Sequence, residues 1–155
     1  MLHCIWHGRH LKSRVVNKFI AVLVFIFGVA FVCTKASADL TPEESARMAT
    51  DEWLALVDGG KYPESWDKMD ADFKKEVSQH KWKSAITAIR KPLGAVTSRK
   101  FQSAQYSKDL PGAPEGEYVV VRFKSAFKRK GAATETVTLK LGQDLNWRVS
   151  TYAVK

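Results

Sequence analysis

A chain of 155 residues with 25 Lys+Arg against 16 Asp+Glu has the length of one domain and, taken whole, the charge of a nucleic-acid binder. The first 38 residues hold five of those bases (Arg9, Lys12, Arg14, Lys18 and Lys35) and no acid, so the remainder carries 20 against 16, an ordinary balance that argues against nucleic acid as a partner. Cys4 and Cys33 are the two cysteines, and both lie in that first stretch; residues 39–155 have no thiol for a disulfide, a thiolate metal site or a nucleophile.

The basic leader runs into the apolar segment Phe19 to Cys33, 15 residues long, shorter than the roughly 20 that a membrane-crossing helix needs. Thr34-Lys35-Ala36-Ser37-Ala38 follows, and the small residues Ala36 and Ala38 predict cleavage before Asp39. Val32 is too bulky to precede a lipid-modified Cys33. The expectation is a signal peptide over 1–38 and a single α+β domain over 39–155, exported to the periplasm or beyond. Membrane contact is expected only if the leader is retained.

Thr41-Pro42-Glu43-Glu44 has the chemistry of a helix start: a Thr cap, proline at the first helical position, and a glutamate three residues on to return the hydrogen bond. Ala46, Ala49, Trp53, Leu56 and Val57 continue it as an apolar stripe to about Asp58, and Gly59-Gly60 ends it. Short helical segments are predicted at Tyr62-Pro63-Glu64-Ser65-Trp66 and from Asp70 through Phe73. A longer helix starts at Ser78, with Trp82, Ala85, Ile86 and Ile89 on one face and Arg90 and Lys91 placed where its dipole favours positive charge. The tryptophans at helical spacing read as core, since a small domain without disulfides needs large apolar side chains. His80, the one histidine after the leader, lies between Gln79 and Lys81 and reads as solvated.

At Lys91-Pro92-Leu93-Gly94 the helical period stops and alternation begins, because proline disfavours helical geometry in the residue before it. Four strands are predicted, at 96–106, 118–128, 134–141 and 146–154, the last three joined by short turns and therefore antiparallel neighbours. Apolar phase suggests pairing Phe123 with Val137, Val121 with Leu139, Leu141 with Trp147 and Leu139 with Val149. Tyr106 is expected opposite Tyr118, which sets Phe101 beside Phe123. Arg99, Ser125 and Glu135 then share one row on the apolar face. The other face carries Arg122, Lys124, Lys140 and Arg148, with Lys140 opposite Arg148 as a like-charge pair.

Several separated blocks carry a resemblance: Trp53-Leu54-Ala55-Leu56-Val57-Asp58-Gly59-Gly60 with Tyr62 and Ser65-Trp66, Arg90 to Gly94, Ser98-Arg99-Lys100, Leu110 to Pro114 with Gly116 to Val120, Glu135-Thr136-Val137, and Trp147 to Ser150. Together they resemble the bacterial domain of unknown function 4019, with Thr151 standing where that pattern leads one to expect glycine. The order of three to four helices and then a curved four-stranded antiparallel sheet also resembles the cystatin-like cone of nuclear transport factor 2 relatives, which implies a pocket at the wide end. Its candidate lining is Trp53, Arg99, Phe101, Tyr106, Phe123, Ser125, Glu135 and Trp147. The reading is a non-enzymatic envelope domain that holds a small amphipathic ligand or an envelope protein, without cofactor, metal or catalytic residues. An isomerase or dehydratase built on Glu135 with Tyr106 or Tyr118, and a structural or oligomerisation module, are the alternatives.

Overall fold

The computed structural model describes residues 39–155; the leader expected at 1–38 lies outside them. Four helices, α1 (Pro42–Asp58), α2 (Tyr62–Asp67), α3 (Ala71–Glu76) and α4 (Gln79–Leu93), precede four strands, β1 (Val96–Ser107), β2 (Tyr118–Phe127), β3 (Lys130–Leu141) and β4 (Trp147–Val154). The strands form one antiparallel sheet in the order β1-β2-β3-β4, so the fold is α+β.

The start of α1 is the capping box its sequence spells: the Thr41 hydroxyl accepts from the Glu44 amide at 3.2 Å, and the Glu44 carboxylate accepts from the Thr41 amide at 3.0 Å. Ala46, Trp53, Leu54 and Val57 of α1 are buried against inward-facing Val119, Val121, Phe123, Val137, Leu139 and Val149 of the sheet. The indoles are pinned as well as buried. Trp53 Nε1 donates to the Ser65 carbonyl at 2.9 Å, Trp82 Nε1 to the Ser65 hydroxyl at 3.0 Å and Trp66 Nε1 to the Val77 carbonyl at 2.8 Å. Ser65 thus ties α1, α2 and α4 together, and each indole N–H that burial strips of water has an acceptor.

The helix-to-sheet boundary falls later than proline chemistry alone places it. Lys91 and Pro92 remain inside α4, and the break comes at Gly94, whose φ of 76° is a conformation glycine supplies readily. The reason is Arg129, in the β2–β3 turn. Its guanidinium donates to the Pro92 carbonyl at 3.0 Å and to the Lys91 carbonyl, and its amide donates to the Leu93 carbonyl at 3.0 Å. These carbonyls would otherwise end the helix unpartnered.

The sheet register differs from the expected one at three places. Between β1 and β2, Phe101 stands beside Phe123 as expected, but Gln102 bulges from β1, so Tyr106 stands opposite Val119 and Ser107, not Tyr106, opposite Tyr118. β2 and β3 pair two residues further along, with Val121 opposite Val137 and Phe123 opposite Glu135 rather than Val137. A shift of two preserves the face, so the apolar set stays inward. Between Thr138↔Thr151 and Leu139↔Val149 one extra residue, Ser150, bulges from β4. Leu141↔Trp147 and Leu139↔Val149 pair as expected, and beyond the bulge Tyr152 stands opposite Val137 on the helix-covered face.

Candidate functional site

Two regions of the helix-covered face combine polar groups with burial. The first joins the C-terminal ends of α1 and α4 to the middle of the sheet. Glu135 is 0% exposed and Arg90 6%. Glu135 Oε2 accepts from Arg99 Nε at 2.7 Å and from the Ser125 hydroxyl at 2.5 Å; its Oε1 accepts from the Tyr152 hydroxyl at 2.7 Å, Arg99 Nη2 at 3.1 Å and Arg90 Nη1 at 3.3 Å. Asp58, the last residue of α1, closes the ring by accepting from Arg90 Nη2 and Arg99 Nη1, both at 2.6 Å. The Arg90 guanidinium also lies over the Phe127 ring, 4.8 Å from its centroid.

Two arginines and two carboxylates cancel, and their pairing is what makes burial tolerable. Burial pushes the Glu135 carboxyl up, but hydrogen bonds from Arg99, Ser125 and Tyr152 outweigh it and hold the group below its usual range. Tyr152 is pushed above the usual phenol range by burial and by the neighbouring Glu135 charge. Five donors on one carboxylate, which offers about four lone-pair positions, leave it no free position from which to serve as a base toward a ligand. The cluster is a closed ionic lock.

The second region is open. One side of α1, the β3–β4 turn and the start of β4 enclose a groove of about 550 Å³ with Met48, Trp53, Leu56, Leu145 and Trp147 in its walls and Glu52 and Lys68 among its polar lining. Large exposed apolar residues gather here. Leu40 is 52% exposed, Met48 53% and Leu145 78%, and all three line this groove. Leu145 also has φ of 59°, the one left-handed non-glycine residue among those described. Such a backbone costs a leucine about 1–2 kcal/mol, and strain of this kind clusters at ligand clamps. The bidentate grip of Asp144 on Arg148, at 2.6 and 2.5 Å, braces the same turn and holds the Asp144 carboxyl well below its usual range.

A family model described as protein of unknown function (DUF4019) matches residues 49–152. The chain belongs to this family. No curated protein and no solved structure matches it. The matched span of the DUF4019 chain includes Asp58, Arg90, Arg99, Ser125, Glu135 and Tyr152, so the whole lock lies within the family's extent, whereas Leu40 and Met48 of the groove lie just before it.

Within this DUF4019 domain the eight residues read from the sequence as one pocket go to different places. Arg99, Ser125 and Glu135 meet in the lock. Trp53 and Trp147 line the groove. Phe123 is core, 3% exposed, and Phe101 is 46% exposed, its ring edge-on to Phe123 at 6.1 Å and under the Arg47 guanidinium at 5.2 Å. Tyr106 donates to Glu117 at 2.6 Å, and Tyr118 donates to the Pro114 carbonyl at 2.6 Å; neither hydroxyl bonds to Glu135. Arg90, Asp58 and Tyr152 were not among the expected residues. A signal for Arg90 existed: it continues the four-residue spacing of Trp82 and Ile86, so the buried stripe of α4 runs into a charge.

Proposed function

We propose that the domain is exported and acts without catalysis, holding a small amphipathic ligand in the groove between α1 and the β3–β4 turn. The observation that carries this reading is the gathering of Leu40, Met48 and strained Leu145 around one groove that a buried indole, Trp53, backs. Its volume lies within the few hundred to 1,000 Å³ of small-molecule sites. The mixed rim of Glu52 and Lys68 suits a ligand with a polar end. The Glu135 geometry opposes the isomerase alternative, since that carboxylate is saturated by donors from the protein itself. The basic leader, its apolar run and the cysteine-free remainder support export.

Native mass spectrometry of the protein as purified from its host should show a bound small molecule of amphipathic character. Met48→Asp and Leu145→Asp should each weaken its retention at least tenfold while leaving the melting temperature within a few degrees. Retention unchanged in both variants would place the ligand elsewhere. Amino-terminal sequencing of the mature protein should begin at Asp39, and an intact Met1 on the extracytoplasmic product would refute cleavage.

A further inference from the structure

The face of the sheet away from α1 carries two cross-strand pairs of like charge, and they are treated differently. Lys140 stands opposite Arg148, but each has its own carboxylate: Lys140 Nζ lies 2.8 Å from Asp72, and Arg148 is clasped by Asp144 at 2.5 Å. Lys100 stands opposite Lys124, and neither makes an ion pair among the described residues. Like charges facing each other across strands destabilise a sheet.

The uncompensated pair continues into a row. Lys124 pairs with Thr134, and Thr134 exchanges both backbone hydrogen bonds with Lys155, at 2.8 and 3.0 Å. Beside this row a shallow depression of about 410 Å³ is lined by Gln102, Arg122, Lys124, Thr134 and Lys155 together with Ala132 and Ala133. Its polar side chains are a guanidinium, two ammonium groups, a hydroxyl and an amide, with no carboxylate among them. Arg122 is held in place by its bond to Gln105 at 2.6 Å. From Tyr118 to Thr134 the chain has five basic residues and no acidic one. The surrounding groups are donors suited to oxygen atoms bearing negative charge.

We propose that this depression is a binding site for a multivalent oxyanion of the phosphoryl class, which supplies the counter-charge that the Lys100–Lys124 pair lacks. The site is independent of the apolar groove. Two sources present this chemistry, a soluble phosphoanion and the headgroups of an anionic bilayer, and the test separates them.

Inorganic pyrophosphate titrated into the protein at low ionic strength should shift the amide resonances of Lys124, Thr134 and Lys155, with an affinity that falls as salt is raised. Arg122→Gln with Lys124→Gln should weaken binding at least tenfold. Lys140→Gln, which removes a lysine already matched by Asp72, should change it less than twofold. A thermal readout checks the same idea without relying on affinity. Pyrophosphate should raise the melting temperature of the unaltered protein, whereas Lys124→Gln should raise it without any anion and abolish the further gain. In the second arm the protein is sedimented with vesicles of phosphatidylglycerol or of phosphatidylcholine. Retention on phosphatidylglycerol alone, lost in the double variant, assigns the headgroup source; pyrophosphate binding without vesicle retention assigns a soluble anion. Neither ligand binding, or equal losses in the double variant and in Lys140→Gln, overturns the proposal.

Discussion

The lock and the groove share α1 and are built on opposite rules. At the C-terminal end of the helix, Asp58 reaches a cluster in which the charged groups satisfy one another, the Glu135 carboxylate is inaccessible and the net charge is zero. Along its flank, Met48 and Leu56 face a groove in which apolar side chains are left without a covering partner and a leucine is held in a strained turn. Charged residues alone would have pointed to the first as the place of function. Satisfaction of bonding capacity is why the second is proposed instead, because a group whose partners are all internal has nothing left to offer a ligand.

The largest effect should come from breaking the lock on one side. Glu135→Gln leaves two arginines sharing only Asp58, and urea unfolding should show a loss of about 3–5 kcal/mol, as for a buried pair with one member removed. Replacing Arg90 by Met and Glu135 by Leu in an Arg99→Leu, Asp58→Asn background removes every charge together and should cost less than that single change. Next in size is Trp53→Phe, which leaves the Ser65 carbonyl without its indole donor inside the core and should cost about 1–3 kcal/mol by the same measurement. That change touches both regions, since Trp53 stacks edge-on against Tyr152 of the lock at 5.3 Å and backs the groove.

Acid should then separate the regions. The Glu135 carboxyl is held below the usual glutamate range in the folded protein, so its stabilising contribution is complete above that range and is lost as pH falls through the lower native one. Stability followed from pH 6 downward should decline in this window, and Glu135→Gln should flatten that part of the curve. The smallest effect belongs to the groove. Leu145→Gly relieves the left-handed leucine and should stabilise the fold by about 1 kcal/mol while weakening ligand retention, a trade that no substitution in the lock should reproduce.

Much of the architecture was legible because its determinants are local. The capping box at Thr41, the glycine that ends α4 and the strand alternation each act over a few residues. The row of Arg99, Ser125 and Glu135 was legible for the same reason, and it survived a two-residue shift between β2 and β3 because side chains keep their face at even shifts and both Arg99 and Glu135 are long enough to reach across the change. What escaped was set by distant parts of the chain. Straight alternation through β4 places Tyr152 opposite Thr136 and outward; the Ser150 bulge turns it inward to Glu135. Asp58 and Arg90 sit at helix ends, where charge has the ordinary explanations of caps and dipoles, and their meeting depends on how α1 and α4 lie over the sheet. The groove depends on the β3–β4 turn arriving beside α1, for which the only local hint was a leucine in a turn otherwise made of Gly142, Gln143, Asp144 and Asn146.

The aromatic stack has an optical consequence. Trp53 and Trp82 lie 6.0 Å apart with their planes inclined by 44°, a fixed and chiral arrangement in which the excited states of two indoles mix. The folded domain should therefore show a paired positive and negative band in its circular dichroism that Trp82→Phe removes. Tyr152, 5.3 Å from Trp53, passes absorbed light to it, so an emission spectrum excited through tyrosine reports whether the phenol is still docked on Glu135. The same indole borders the groove. One intrinsic chromophore thus watches both the lock and the groove, and a ligand entering beside Met48 would be visible without any label.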